Sequence, residues 1–263
     1  MKTVYVLFMD VDGTMSKGGI VDANEFRDFI STIKAIETRD DVEIHVVLAS
    51  GRPAPYLQGI QVFCSELKKP FIIAENGSIL VVNYAQGFDY EMLMPQQHRD
   101  IMFAVKAKLR SISEIEGFEF TVERGKEYSI SVKWPEKYNS IKFFEVFERF
   151  MAEFFDPHTL KQISWAFTSD SIDVFGASTS KRSGVQEVLR RYAQYQEIDV
   201  DRVLYAGDSH NDMEAAELVR KHDKGVVIVP ENAVGDLKDI AAIVGKGVAL
   251  KGVVNALKQY FNI

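Results

Sequence analysis

The stretch Phe8-Met9-Asp10-Val11-Asp12-Gly13-Thr14-Met15-Ser16 follows the apolar run Val4-Tyr5-Val6-Leu7 near the start of the chain. Such a run reads as a buried strand, yet it ends in two aspartates one residue apart, followed at once by Gly13 and Thr14. Two carboxylates this close repel one another, and the end of a buried strand solvates them poorly. Asp and Gly are ordinary turn formers, so a solvated turn is one reading. A cation or acid–base site at the carboxyl end of a strand is the other. The tetrad alone does not choose between them, and the rest of the chain has to.

The remaining apolar runs divide into two kinds. Val4–Met9, Ile44–Ala49, Phe71–Ala74, Val203–Ala206 and Val226–Val229 are nearly continuous, as strands covered on both faces of a parallel sheet must be. Helix-like segments separate several of them. One opens at Asp22, with Glu25 three residues later as a capping-box pattern, and carries Phe26, Phe29, Ile30 and Ile33 on one face. Strands alternating with helices predict an α/β fold with a doubly wound, Rossmann-like parallel sheet as its core.

In the middle of the chain the period changes to two. Tyr128-Ser129-Ile130-Ser131-Val132-Lys133-Trp134 alternates strictly, and the same period recurs at Phe118, Phe120 and Val122, at Ile163, Trp165 and Phe167, and at Ile172 and Val174. These predict half-buried strands of an antiparallel sheet with one open face. Arg124-Gly125-Lys126 and Thr168-Ser169-Asp170 read as hairpin turns. Two amphipathic helices are expected over 96–112 and 140–155, the second with Phe143, Phe147, Phe150, Met151 and Phe154 as a core-facing stripe. The expected organisation is a discontinuous core, residues 1–83 and 178–263, interrupted by an α+β module over 84–177. Phe118, Phe120, Ile130, Val132, Ile163 and Phe167 then face the module's helices. Ser129, Ser131, Lys133, Ser164 and Asp173 face the other way.

A chain of 263 residues is long enough to bury a substantial core in one or two domains. Its net charge of −7, with no long basic block, argues against nucleic acid or an anionic membrane as partner. An anionic small molecule stays open, because a local metal ion outweighs a distant net charge. Cys64 is the single cysteine, which rules out an intrachain disulfide and suits a buried small hydrophobe better than a nucleophile. No apolar run approaches the ~18 residues of a membrane span, and the N-terminus does not read as a secretory signal. A cytoplasmic enzyme or binding protein is the expectation.

Four short stretches fall at the ends of the core strands. They are Asp10-Val11-Asp12-Gly13-Thr14, Ser50-Gly51-Arg52, Lys181 at the start of a helix where the module ends, and Gly207-Asp208-Ser209-His210-Asn211-Asp212. Ligands of open α/β sheets bind at these strand ends. Carboxylates with an amide suit a hard cation such as Mg²⁺, while a hydroxyl, a lysine and backbone N–H groups suit a phosphate. A carboxylate attacking a phosphate dianion meets repulsion of about 4 kcal/mol per charge pair at ~4 Å and an effective dielectric of ~20. A metal ion and a lysine remove that repulsion.

In order and spacing, these four motifs resemble the haloacid dehalogenase superfamily, and the inserted α/β cap resembles its Cof-type, or class IIB, group. Glu75-Asn76-Gly77 and Glu231-Asn232-Ala233 sit where that group has similar triplets. The resemblance implies a Mg²⁺-dependent phosphatase acting on a small phosphorylated metabolite, a sugar or polyol phosphate, through an aspartyl-phosphate. Asp10 would be nucleophile and metal ligand. Asp12 would be acid and base, with a raised pKa, and would reach the metal through its carbonyl. Asp208 would complete the metal ligands and Asp212 would support them. Val11, Ser50, Gly51, Lys181 and Asn211 would bind phosphate. Lys133 and Ser131, on the open face of the cap sheet, would read the substrate. Arg52 would pair structurally near the site, and His210 is assigned no chemistry. A phosphotransferase or mutase keeps the same intermediate, and a binding protein without turnover would not need both aspartates. A receiver domain would lack the cap.

Overall fold

Strand β1 (Thr3–Met9) is buried on both faces: Val6 and Phe8 pack to one side, Leu7 and Met9 to the other. In the computed structural model, which describes residues 3–39, 42–63, 67–68, 70–84, 87–167, 171–194 and 200–263, this strand lies near the centre of an eight-stranded sheet. After β1 come α1 (Ala23–Glu37), β2 (Val42–Ala49), α2 (Ala54–Phe63), β3 (Phe71–Ala74), β4 (Ile79–Tyr84) and β5 (Gly87–Met92). The inserted part supplies α3 (Gln96–Arg110), β6 (Glu114–Ile115), β7 (Phe118–Glu119), β8 (Thr121–Val122), β9 (Ile130–Lys133), α4 (Ser140–Phe154), α5 (Pro157–Lys161), β10 (Ile163–Phe167) and β11 (Ser171–Gly176). The core resumes with α6 (Lys181–Gln194), β12 (Val200–Ala206), α7 (Met213–Lys221), β13 (Gly225–Pro230), α8 (Gly235–Ile240), β14 (Ile243–Gly245) and α9 (Leu250–Phe261).

The large sheet runs β14-β13-β12-β1-β2-β3-β4-β5, parallel from β14 to β3 and antiparallel beyond. Helices α1, α2 and α9 cover one face through Phe29, Leu57 and Val253, and α6, α7 and α8 cover the other through Val188, Val219 and Leu237. The Asp22 carboxylate starts α1 by accepting from the N–H groups of Asn24 and Glu25 at 2.9 and 3.0 Å. The chain progresses outward one way through β2 and β3, and the other way through β12 and β13. The carboxyl ends of β1, β2 and β12 therefore flank a topological switch point, where such sheets bind ligands.

The cap begins later than expected. Strands β4 and β5 pair with each other and with β3, so a boundary at residue 84 would divide a hairpin of the core sheet. The cap's own sheet, β10-β11-β9-β8, is antiparallel, and Ile130, Val132, Ile172 and Val174 bury one face against Met102, Val105 and Leu109 of α3 and Phe143, Phe147 and Met151 of α4. The period-two stretch 118–122 is two strands rather than one: β7 pairs with β6, while β8 pairs with β9. Two members of the expected cap core are half exposed. Phe154, in the last turn of α4, tilts against Phe150 and lies under the Lys108 ammonium, and Phe167 lies flat on Trp134 where β10 ends. Cys64 and the turn Thr168-Ser169-Asp170 lie outside the described residues.

Phe143 contributes no exposed surface, and its ring meets Trp134 at 4.5 Å and Phe118 at 6.0 Å. Phe143→Ala should cost about 3–5 kcal/mol of stability. Urea denaturation checks this, and a loss under ~1 kcal/mol would mean that the cap core is not packed around this ring.

Candidate active site

The four strand-end motifs converge. The Lys181 ammonium, at the first residue of α6, lies 2.7 Å from Asp10 Oδ1 and 2.7 Å from Asp212 Oδ1. All three side chains are buried. Burial alone would push the lysine down, but the two carboxylates beside it hold its pKa above the ordinary lysine value. Asp212 Oδ1 also accepts from the Tyr205 hydroxyl at 2.7 Å, and its Oδ2 accepts from Ser209 N–H, Ser209 Oγ–H and Asp208 N–H at 3.0, 3.1 and 3.1 Å. Burial raises the Asp212 pKa, but Lys181 and these donors outweigh it and the net shift is downward.

Asp208 stands at the end of β12. Its Oδ1 accepts from Thr14 Oγ1 at 3.1 Å, and Asn232 Nδ2 lies 3.3 Å from its Oδ2. Gly13 has φ +79°, and a Cβ there would fall 2.0 Å from Asp208 Oδ2, so glycine is required for the two loops to meet. Asn232, noted in sequence only as part of a triplet, also donates to Gly13 O at 2.8 Å and accepts from Ala249 N–H at 2.7 Å. It joins three loops of the site.

Asp12 departs from expectation. Arg52 holds its carboxylate in a two-point ion pair, Nε to Oδ2 at 2.7 Å and Nη2 to Oδ1 at 2.8 Å. Partial burial raises the Asp12 pKa, but the guanidinium's hydrogen bonds and charge outweigh it, and the net shift is downward rather than the upward one expected. The carboxyl raised well above its usual range is Asp10, through burial, with the Asp212 charge adding and Lys181 opposing.

Ser50 is buried, and its Oγ accepts from Arg52 N–H at 3.2 Å. Gly51 lies beside the Asn76 amide, which would be 3.1–3.2 Å from a Cβ at residue 51. These groups, with Asp10, Asp12, Lys181, Ser209 and Asn211, form the core side of a cleft of about 540 Å³. The cap side is Glu123, Lys126, Ser131, Lys133, Ser171 and Asp173. The open face of the cap sheet thus looks onto the strand ends. Ser164, on the same face but on the outer strand β10, is not among the lining residues. Lys126 Nζ lies 2.5 Å from Ser131 Oγ and 3.3 Å from Asp173 Oδ1, while Lys133 Nζ lies 3.7 Å from Glu123 Oε1. Lys126 belongs to the Arg124-Gly125-Lys126 turn and is buried. Its burial depends on a roof the local pattern does not encode.

The profile of the haloacid dehalogenase-like hydrolases matches residues 7–128 and 137–257. The chain belongs to that family. Its fold is also that of solved relatives over nearly its whole length. The sucrose-phosphatase of Synechocystis sp. PCC6803, solved with sucrose and phosphate, superimposes with a TM-score of 0.64 at 16% identity, covering 100% of this chain and 99% of that one. The subclass IIB sugar phosphatase BT4131 gives 0.62 at 17%, covering 99% and 100%. BT1666 of Bacteroides thetaiotaomicron gives 0.61 at 19%, covering 100% and 96%. No curated protein matches the sequence.

Members of this family generally use Mg²⁺, and the residues present suit it. Carboxylate oxygens of Asp10, Asp208 and Asp212 lie within 4.8 Å of one another. One lysine faces these three carboxylates, so the ionised cluster has an excess of negative charge that a divalent cation would balance. Asp212 is already occupied by its donors, so Asp10 and Asp208 are the carboxylates that could offer a hard cation its oxygen ligands. Burial and the Asp212 charge push Asp208 up to about 6.

A carboxyl whose pKa rises on folding stabilises the folded state fully below its unfolded value. It loses that contribution as pH rises through about 6. Mg²⁺ requires the ionised form, so it should raise the melting temperature more near pH 7 than near pH 5. Asp208→Asn should abolish the Mg²⁺-dependent shift. A Mg²⁺-dependent shift that survives in Asp208→Asn in a thermal-shift titration would refute Asp208 as a ligand.

Proposed function

We propose that the protein is a Mg²⁺-dependent phosphatase, set in the cytoplasm, that hydrolyses a small phosphorylated metabolite, a sugar or polyol phosphate, through an aspartyl-phosphate. The observation that carries this reading is the buried Asp10–Lys181 contact of 2.7 Å on the floor of a cleft roofed by the polar face of the cap. The sugar phosphatases among the structural relatives support the substrate class.

On this reading the phosphoryl group sits between Asp10 and the donors Ser50 Oγ–H, Gly51 N–H, Val11 N–H, Asn211 and Lys181. An Asp10 carboxylate oxygen attacks phosphorus, and the bond from phosphorus to the leaving oxygen breaks. Asp12 gives that oxygen its proton. Asp12 then takes a proton from water as the water oxygen attacks phosphorus, which releases inorganic phosphate and restores Asp10. Mg²⁺ bound by Asp10, Asp208 and the Asp12 carbonyl would neutralise phosphoryl charge. For Asp12 to carry a proton, Arg52 has to leave it. Glu123 Oε1, 3.8 Å from Arg52 Nη1, is the carboxylate to which the guanidinium can turn. Asp212 keeps Lys181 and the Asp208–Ser209 backbone in place.

Asp10→Asn should reduce phosphate release to background while circular dichroism shows the fold retained. Asp12→Asn should lose about 10²–10⁴-fold in kcat. Near-normal turnover in either variant would refute the assignment, as would full activity in a chelator.

Lys133 is about two-fifths exposed, at the mouth of the cleft. Lys133→Ala should reorder a panel of sugar, polyol and carboxylated phosphates, with turnover of an aryl phosphate largely kept. An unchanged ranking removes Lys133 from substrate recognition.

A further inference from the structure

One stretch of the cap is held on two sides by buried charges of opposite sign. The N–H groups of Glu127, Tyr128 and Ser129 all donate to the carboxylate of Glu75, at 2.7, 2.7 and 2.8 Å, and the Ser129 hydroxyl adds a contact at 3.3 Å. The carbonyls of Lys126 and Glu127 accept from Lys106 Nζ at 2.9 and 2.5 Å. Glu75 is 1% exposed and Lys106 7%. Bonds from peptide groups to full charges are among the stronger ones available to a backbone. This segment leads into β9, and Lys126 and Ser131 on either side of it line the cleft.

Glu75 belongs to the core, not the cap. It and Asn76 have φ of +49° and +55°, a conformation costly for residues with a Cβ and kept only where the surroundings enforce it. The enforcing contacts are on the phosphate-side loop: Glu75 N–H donates to Arg52 O and Asn76 N–H to Ser50 O, each at 3.1 Å. Two consecutive residues therefore grip the Ser50–Arg52 loop with their backbone, while the first of them grips the cap with its side chain.

We propose that Glu75 is a positioning residue for substrate selection. It sets the cap wall of Lys126, Ser131 and Asp173 at a fixed place relative to the Ser50–Arg52 loop. The leaving group is then read at a defined distance from the phosphoryl group. The kinetic side of this rests on the phosphatase reading; the mechanical side rests on the contacts alone.

The test is hydrogen–deuterium exchange and kinetics on full-length Glu75→Gln and Lys106→Met. In Glu75→Gln, an amide NH₂ replaces one accepting oxygen and opposes the backbone donors. The amides of residues 127–129 should exchange about tenfold faster or more, while those of β1 and β12 do not change. For the best sugar or polyol phosphate of a panel, kcat/KM should fall about 10–100-fold, mostly through KM. Turnover of p-nitrophenyl phosphate, whose leaving group needs no cap wall, should change less than about threefold. Lys106→Met should loosen the same amides from the other side, and it tests the clamp if Glu75→Gln does not fold. Unaltered exchange at 127–129 in both variants, or equal kinetic loss on both kinds of substrate, would overturn the proposal. If the wild-type protein releases no phosphate from any substrate, the phosphatase reading fails instead, and the exchange experiment still decides the clamp.

Discussion

The site depends on one ammonium placed between two buried carboxylates. Lys181 touches Asp10 and Asp212 at the same distance, 2.7 Å, with almost no water around any of the three. Removing one partner from a buried ion pair costs several kcal/mol, because the charge left behind has nothing to replace it. The triad therefore requires three chain segments to arrive together: the end of β1, the start of α6 and the turn after β12. The topology brings them there. β1 and β12 are parallel neighbours, and α6 is the connection by which the chain returns from the cap. Asp212 adds rigidity by accepting from Ser209 and Asp208 in the loop that carries Asp208 toward Asp10.

A second constraint comes from the cap sheet. Its alternation gives it an apolar face, which the two long cap helices cover, and a polar face, which they cannot. Over water that polar face would need no partners. Over the strand ends it becomes a wall, and its charges pair within the cleft: Lys126 with Asp173 and Ser131, and Lys133 with Glu123. Both lysines have a carboxylate close by. The wall so offers alternating donors and acceptors rather than a block of one sign. Such a surface meets hydroxyl groups, which both give and accept hydrogen bonds.

Much of this was legible in the sequence, for physical reasons that differ by element. Strands buried on both faces must be apolar throughout, so the β1, β2, β3, β12 and β13 runs announced a covered parallel sheet. The four motifs were legible together and not singly, since the Asp10–Thr14 stretch by itself reads equally well as a solvated turn. Period two found the cap sheet and which of its faces is polar. It misread 118–122, where one alternation spans two short strands, and it left Phe167 in a core that ends before it, as the helical stripe of α4 did Phe154. Strand β5 was missed as core because its Phe88 and Tyr90 lie on an outer strand, exposed, and give no continuous apolar run. Glu75, Lys106 and Lys126 could not be found by local pattern. Each is a charged residue buried by partners distant in the chain, and charge in sequence reads as exposure.

The two aspartates that opened the question sit one residue apart and end in opposite electrostatic states. Asp10 continues the direction of β1 into the buried centre, where loss of water raises its pKa and Lys181 only partly opposes the rise. Asp12 lies beyond a single turn residue, faces the mouth of the cleft, and is held ionised by Arg52. The division follows from the bend at Val11, whose carbonyl accepts from the N–H groups of Met15 and Ser16; an extended strand would have left the two side chains on one face. On the proposed reading, an attacking carboxylate must shed its solvation, and a buried one has already done so. A proton carrier would have to change charge during the reaction, which a partly exposed position permits. Arg52 then has a definite place in the argument. It pairs with Asp12 and lies within 3.8 Å of the cap carboxylate Glu123. Cap position and the charge state of Asp12 are in this way tied to one guanidinium.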